Sequence, residues 1–154
     1  MKNTSKWLTV DQAMIDRFAE ATLDPDPMHI NPEWCAENSP FGGTIAFGFL
    51  TLSLLTHLGQ DIIRYARENR SAVDGVPLNY GFNKVRMITP VPVNSRIRMV
   101  MHPVSSVLKA PGQTMQTSDI EVQIEGQEKP ALVAQWLTIW VDPGEGVAAL
   151  KKSL

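Results

Sequence analysis

The sequence predicts an α+β fold in which an antiparallel sheet curls around one buried helix. The helix is indicated by residues 44–58, which are apolar on nearly every side, as in a helix surrounded by protein. The sheet is indicated by four later segments in which apolar and polar residues alternate with a period of two. Prolines and glycines join these segments by short connections, which favours antiparallel pairing.

Helices are predicted from periodicity and from their flanking residues. The predicted helices cover residues 10–22, 31–37, 44–58 and 61–70. Thr9 and Gln12 have the spacing of a capping box, in which each side chain bonds the backbone of the other residue. Residues 23–29 contain two prolines, which rule out a continuous helix and predict a stiff loop. Gly59 is a candidate break between the last two helices.

Strands are predicted over residues 78–88, 95–108, 113–125 and 131–141. The last strand is apolar on both faces, with Trp136 and Trp140 on one face and Leu137 and Ile139 on the other. Two apolar faces indicate burial on both sides of the sheet, as in an oligomer.

Length and composition predict one domain over residues 1–154, with a core at about 7–141 and a loose tail at 142–154. Hydrophobic residues make up 44% of the chain and charged residues 19%, which excludes a disordered chain. The net charge is −2 and no long basic run occurs, so we expect no nucleic-acid partner.

Three further features predict a soluble cytoplasmic protein without a membrane partner. The single cysteine, Cys35, excludes a disulfide scaffold and suits a reducing compartment. The N-terminal segment lacks the apolar stretch of a signal peptide. Residues 44–58 are shorter than the roughly 20 residues that span a bilayer.

Several common catalytic motifs are absent from the sequence. It contains no Gly-x-Ser-x-Gly elbow, Walker phosphate loop, His-Glu-x-x-His or Cys-x-x-Cys motif. The three histidines do not have the spacing of metal ligands. We therefore expect neither a metal nor a nucleotide cofactor.

The stiff loop contains the candidate catalytic groups. Asp24 and His29 lie five residues apart, close enough to hold one water between them. Histidine titrates near neutral pH and an aspartate is readily ionised, so the pair suits proton transfer. An Asp before a proline is also common in ordinary turns. Composition and spacing alone leave both interpretations open.

Two segments resemble a known family. Asp24-x-x-Pro27-x-His29, followed by Phe-Gly-Gly-Thr-Ile-Ala-x-Gly-Phe-Leu over residues 41–50, is similar to the hydratase motif of MaoC-like dehydratases. These are hotdog-fold proteins that include the (R)-specific enoyl-CoA hydratases. The segment Leu-Asn-Tyr-Gly-Phe-Asn-Lys-Val-Arg over residues 78–86 resembles the nodulation protein N subgroup. The resemblance covers about residues 7–141.

The resemblance implies a hotdog fold and a homodimer with acyl-thioester sites at or near the subunit interface. It implies hydration of trans-2-enoyl thioesters to (R)-3-hydroxyacyl thioesters, with coenzyme A or acyl carrier protein as the substrate carrier and no other cofactor. Asp24 and His29 match the pair that activates water. Gly48 matches the glycine whose backbone N–H binds the thioester carbonyl oxygen.

Three further positions are supporting candidates under the same resemblance. Thr56 lies where family members place a helix serine that orients Asp24 or the water, although a helix threonine often bonds its own backbone instead. Asn31 is a second candidate. Phe47 stands where the family usually has a histidine, so this chain departs from the pattern immediately before Gly48.

Two alternatives to a hydratase are a hotdog acyl-CoA thioesterase and a non-catalytic acyl-thioester-binding protein. Hotdog thioesterases generally use a carboxylate on or beside the central helix, and residues 38–60 contain no Asp or Glu. That absence counts against a thioesterase. Phe47 favours the binding protein, whereas the presence of Asp24 and His29 favours the enzyme.

Overall fold

The computed structural model describes residues 3–68 and 75–153. Within them the elements are β1 (Leu8–Val10), α1 (Gln12–Thr22), α2 (Pro27–Ile30), α3 (Pro32–Asn38), α4 (Gly48–Ser53), α5 (Leu55–Glu68), β2 (Val76–Met87), β3 (Ser95–Ala110), β4 (Gln113–Ile124), β5 (Leu132–Val141) and α6 (Glu145–Ser153). None of these helices is long and apolar enough to cross a membrane.

The strands form one sheet in the order β1-β3-β4-β5-β2, and all neighbours are antiparallel. This confirms the predicted α+β fold and the four predicted strands, to which the structure adds the short strand β1. The sheet curls strongly, since Lys109 of β3 places its Nζ 3.8 Å from the Tyr80 ring of β2, although β4 and β5 lie between. Register shifts in β2 on both sides of Gly81 increase the local twist.

One face of the sheet packs against α4 and α5. The core residues from the sheet include Ile97, Met99, Ile120, Val122, Leu132 and Trp136, and those from the helices include Leu50, Leu55, Leu58 and Ile62. Trp136 and Trp140 are buried within the single chain, so this face of β5 is covered without an oligomer.

The central helix differs from its prediction in both its start and its break. Helix begins at Gly48 because residues 44–47 are extended: the Ala46 N–H bonds the Val91 carbonyl at 2.8 Å, and the Val93 N–H bonds the Thr44 carbonyl at 3.0 Å. These long-range bonds replace the intrahelical ones. The break falls at Leu54, between α4 and α5.

Gly59 was predicted as the break, which is wrong, since it lies within α5. A Cβ at this position would lie 3.4 Å from Met99 Cε and 3.8 Å from Trp136 Cζ3. An added Cβ would be in ordinary contact with both side chains, so the packing between the helix and the sheet does not require a glycine here. The helix predicted at 61–70 is the continuation of α5 to Glu68, and residues 69–70 lie outside the described part.

The predicted capping box is also wrong. Thr9 pairs with Arg96 in β1, and Asp11 caps α1 by accepting the Met14 N–H at 2.8 Å. Strand pairing occupies the backbone of Thr9, so the helix begins after it.

The predicted loop contains a further turn of helix, α2. Asp26 accepts the Met28 N–H at 2.9 Å and Pro27 occupies the first turn, an arrangement that starts a helix rather than preventing one. His29 therefore lies on α2. The short helix predicted at 31–37 is confirmed as α3.

The tail predicted to be loose forms α6. The Asp142 carboxylate accepts hydrogen bonds from the N–H groups of Gly144 at 2.9 Å and Gly146 at 3.1 Å. The backbone N–H of Asp142 donates to the Gly112 carbonyl at 2.9 Å. These bonds attach the start of the tail to the β3–β4 turn.

Candidate active site

His29 is the buried polar group of the predicted site, with 9% of its surface exposed. Its Nδ1 lies 2.7 Å from the backbone carbonyl oxygen of Ile45. A carbonyl can only accept, so Nδ1 carries the proton in this bond. In the neutral form of His29, Nε2 therefore carries no proton and can accept one. This is the form that a general base needs.

Phe47 holds the other side of the His29 ring. The two ring centroids are 3.7 Å apart with an interplanar angle of 32°, and the Phe18 ring packs 5.3 Å from Phe47. Phe47 is 5% exposed and belongs to the hydrophobic core. Phe47, which stands where the family usually has a histidine, therefore gives the imidazole of His29 an apolar ring to pack against, and this contact helps to orient it.

Asp24 lies in the connection between α1 and α2. Leu23, with a φ of 58°, ends α1 in the left-handed conformation, and the Asp24 N–H bonds the Ala19 carbonyl at 3.0 Å. The Asp24 side chain is exposed. Its neighbours Leu23 and Pro25 line an open groove of about 560 Å³. The backbone is therefore fixed while the carboxylate faces solvent.

Gly48 is the first residue of α4. The first N–H groups of a helix have no acceptor within it, and the preceding Phe47 forms no side-chain cap bond. Gly48 is exposed, and a Cβ there would lie 3.3 Å from Met87 Cγ and Sδ. Because Phe47 directly precedes Gly48 and packs on the His29 ring, the start of α4 lies next to His29.

The two other supporting candidates bond the backbone near them. Asn31 caps α3 by accepting the Trp34 N–H at 2.9 Å. Thr56 donates to the Ser53 carbonyl at 3.1 Å and lines a second cavity with Trp136 and Trp140. The structure shows no bond between Thr56 and Asp24 among the described residues.

Gln12 is a site residue that sequence reasoning missed. Its amide nitrogen donates to the His29 carbonyl and to Asp16 Oδ1, each at 2.8 Å, and its Oε1 accepts the Thr44 hydroxyl at 2.6 Å. Gln12 thereby ties α1 to α2 and to the extended segment before Gly48. The spacing of Thr9 and Gln12 was interpreted as a local cap, and no sequence signal pointed to these long-range partners.

Within residues 3–68 and 75–153, no group of three or more His, Cys, Asp or Glu side chains is arranged to hold a metal ion. The thiol of Cys35 is buried and donates to the Met28 carbonyl at 3.3 Å, beneath α2. Its place is consistent with a structural thiol.

Comparisons with known proteins support the resemblance. The MaoC-like domain model matches residues 2–125. The chain is 42% identical over 135 residues to Nodulation protein N of Rhizobium leguminosarum bv. viciae, covering 88% of this chain and 81% of that protein. It is 40% identical over 139 residues to 3-hydroxyacyl-thioester dehydratase Z of Mycobacterium tuberculosis, covering 89% and 86%. The (R)-hydratase from A. caviae involved in PHA biosynthesis superposes with a TM-score of 0.62 at 16% identity, over 89% of this chain and 96% of that one.

Proposed function

Since the chain belongs to the MaoC-like domain family and has a hotdog fold, we propose that it hydrates trans-2-enoyl thioesters reversibly to (R)-3-hydroxyacyl thioesters. The observation that carries the proposal is the buried His29, whose Nδ1 is fixed on the Ile45 carbonyl and whose Nε2 is left to accept a proton. Relatives named as a dehydratase and an (R)-hydratase support the reaction class. Coenzyme A or acyl carrier protein carries the acyl group, and no other cofactor takes part.

The proposed mechanism transfers one proton through the Asp24–His29 pair. As the water oxygen bonds C3 of the enoyl thioester, one of its protons passes to the pair, and the same pair then protonates C2. The pair ends in the state in which it began, and each general acid or base step contributes roughly 10²–10⁴ in rate. The neutral form of His29 suits the acceptor role because Nδ1 already holds its proton.

Gly48 is proposed to bind the thioester oxygen as negative charge develops on it. The N–H at the start of α4 has no intrahelical acceptor and lies at the positive end of the helix dipole. Such a donor is worth about 3–4 kcal/mol in the transition state. A Cβ at this position would lie 3.3 Å from the flexible Met87 side chain, which would have to shift slightly, so glycine leaves the most room here.

We also propose that the protein is a homodimer. Strand β2 lies at one edge of the sheet, and its exposed large apolar side chains are Val76, Leu78, Tyr80, Phe82 and Met87. An unpaired strand edge with apolar side chains is a template for pairing with another chain. A second copy would cover this surface.

The buried free thiol of Cys35 suits a reducing compartment, and we propose the cytoplasm.

The test is to mix purified protein with crotonyl-CoA and follow the conjugated enoyl-thioester absorbance, with free thiol measured in parallel. Loss of absorbance without thiol release is expected. Asp24→Asn and His29→Ala should each remove most of this activity, whereas His57→Ala, at an exposed histidine of α5, should not. Thiol release would identify a thioesterase. No reaction with crotonyl-CoA or with longer enoyl thioesters would identify a binding protein.

A further inference from the structure

His29 is held from two directions by segments that are far apart in the sequence. Its ring nitrogen Nδ1 bonds the carbonyl of Ile45 at 2.7 Å, and its own backbone carbonyl accepts a hydrogen bond from the amide of Gln12 on α1 at 2.8 Å. The first of these bonds decides which ring nitrogen carries the proton. It exists only while the Ile45 carbonyl stays within about 3 Å of Nδ1, so the proton position on His29 depends on how residues 44–47 are anchored.

Gln12 anchors both sides of the bond between His29 and Ile45. Its Oε1 accepts the Thr44 hydroxyl at 2.6 Å, and Thr44, which is 2% exposed, immediately precedes Ile45. The result is a closed circuit of bonds. It runs from the His29 ring to Ile45, along the backbone to Thr44, through the amide of Gln12 and back to the His29 carbonyl. Removing the Gln12 amide would open this circuit at two hydrogen bonds.

The other bonds of the extended segment hold His29 less closely. Two backbone bonds of residues 44–46 go to residues 91 and 93, before β3. Among the described residues, the one backbone bond from this segment to α2 joins the Ile45 N–H to the Met28 carbonyl, at 3.3 Å. The bonds through Gln12, at 2.6 and 2.8 Å, are shorter and therefore fix the segment against α2 more firmly.

The orientation of the Gln12 amide is fixed by its surroundings. Its nitrogen also donates to Oδ1 of Asp16, one helical turn further along α1, at 2.8 Å. A carboxylate and a backbone carbonyl can only accept, so the nitrogen faces Asp16 and His29, and the oxygen faces the hydroxyl of Thr44. A side chain at this place must donate and accept at once. An amide does so, whereas a carboxylate or an ammonium group does not.

We propose that Gln12 is a positioning residue for His29: it keeps the Ile45 carbonyl on Nδ1 and thereby leaves Nε2 without a proton and able to accept one. The proposal rests on the function proposed above. The three hydrogen bonds of Gln12 go to the protein, so it acts through His29 and not on the substrate. Without Gln12, the ring is free to turn away from Ile45 and to carry its proton on Nε2, where it cannot accept another.

The kinetic test is the hydration of crotonyl-CoA by Gln12→Met, which keeps the length of the side chain and removes its hydrogen bonds. We expect kcat to fall by about 10–10²-fold, because a misplacement of about 1 Å in an active site can cost that much. KM should change by less than about threefold, since Gln12 bonds only the protein.

Gln135→Met is the matched control. The Gln135 amide also donates and accepts, to Asp119 at 2.8 Å and from Asn83 at 2.7 Å, but it lies on the face of the sheet that points away from the core. Its loss should leave kcat unchanged. A kcat that Gln12→Met leaves unchanged, or that falls equally in the two variants, would overturn the proposal.

Thr44 provides a second pair of variants, which decides the question if Gln12→Met does not fold. Thr44→Val is near-isosteric and removes the hydroxyl, whereas Thr44→Ser keeps it. We expect Thr44→Val to lower kcat by about threefold to tenfold, because one neutral hydrogen bond of the circuit is lost, and Thr44→Ser to retain most of the activity. In the Gln12→Met background, Thr44→Val should have little further effect, since the two residues act as one unit. Equal kcat in the valine and serine variants would overturn the proposal.

A spectroscopic measurement separates positioning from stability and from the reaction itself. The nitrogen chemical shifts of an imidazole report which ring nitrogen carries the proton. They are recorded on untagged protein in a His57→Gln, His102→Gln background, which leaves His29 as the single histidine. A pH of about 8.5, about two units above the ordinary histidine pKa, is suitable. We expect the proton on Nδ1 in this background and a shift toward Nε2 when Gln12→Met is added. A proton that stays on Nδ1 would overturn the proposal.

This measurement also distinguishes a failure of the positioning role from a failure of the proposed function. If the natural protein hydrates no thioester, the proposed reaction fails, whereas the proton position on His29 still tests Gln12. If the natural protein is active and the proton stays on Nδ1 without Gln12, only the positioning role fails.

Discussion

The side chains between α5 and the sheet come from the same strands at both ends of the helix, but they are buried to different extents at the two ends. At the closed end, formed by Met99, Val122, Leu132 and Leu58, the side chains are between 0% and 3% exposed. At the open end, formed by the cavity with Gln116 and Thr138, these two side chains are only half-buried. Packing at the closed end therefore stabilises the fold more than the partly exposed lining of the open end does.

The largest difference is expected between two methionines that lie on the same face of β3. Met99 is fully buried, and Met101 is half-buried and lines the open end. Met99→Ala should lower the free energy of unfolding by about 2–5 kcal/mol. Met101→Ala should cost less than about 1.5 kcal/mol, because part of its surface already meets the cavity. Urea unfolding at one fixed protein concentration measures the free energy of unfolding of both variants. Equal losses of this free energy would contradict the contrast between the two ends.

The next prediction concerns the N–H that starts the central helix, next to the closed end. Proline suits the first helical position, and Phe47, with φ −58° and ψ 138°, has the conformation that precedes a proline. Gly48→Pro should therefore fold but lose about 10²–10³ in kcat, because it removes the N–H. Gly48→Ala keeps the N–H and meets only the flexible Met87 side chain, so it should lose far less. Equal losses in the two variants would argue against a role for the N–H.

Phe47→His restores the residue that the family resemblance leads us to expect. The buried imidazole would lack the apolar contact with Phe18 and need a new partner, so we expect a loss of about 1–3 kcal/mol in the free energy of unfolding. Activity on crotonyl-CoA should change by less than about tenfold, since the Ile45 carbonyl still orients His29. A large gain in activity would show that the natural residue impairs reaction with this substrate.

A smaller change is expected at Gly59, where α5 approaches the closed end. Alanine is favoured over glycine in a helix by about 1 kcal/mol. The added Cβ would be in ordinary contact with Met99 and Trp136, at 3.4 and 3.8 Å. Gly59→Ala should therefore raise the free energy of unfolding by about 0.5–1 kcal/mol. Gly59→Val, with two more carbons in the same space, should lower it. A loss with alanine would mean that the contact is tighter than its distances indicate.

The smallest effect is expected where Lys109 of β3 lies over Tyr80 of β2. The hydrogen bond and the positive charge of Lys109 lower the pKa of Tyr80 below its ordinary value. Lys109→Met should raise this pKa, because the phenolate loses its cationic partner. Titration of the phenolate absorbance in a Tyr65→Phe background measures the shift. An unchanged titration would mean that the two strands do not approach each other in solution.

Several site features could be predicted from sequence because their signals are local. The alternation of Ile120, Val122 and Ile124 with polar residues predicts a strand, since successive side chains point to opposite faces. Asp24, His29 and Gly48 were identified as candidates from their spacing in a family motif. Features that depend on distant partners had no such signal: Gln12 is 32 residues from Thr44, and only the fold brings their side chains together.

By itself, the sequence determined which segments alternate as strands, where prolines and glycines interrupt them, and to which family the chain belongs. Tertiary structure alone decided that residues 44–47 are extended, because their hydrogen-bond partners lie at residues 91–93. Tertiary structure also decided that Phe47 packs on His29 and that Asn79, Thr138 and Gln116 share one row. The physical reason is that local backbone preferences are weak, at about 1 kcal/mol or less per residue. Contacts between residues far apart in the chain override them.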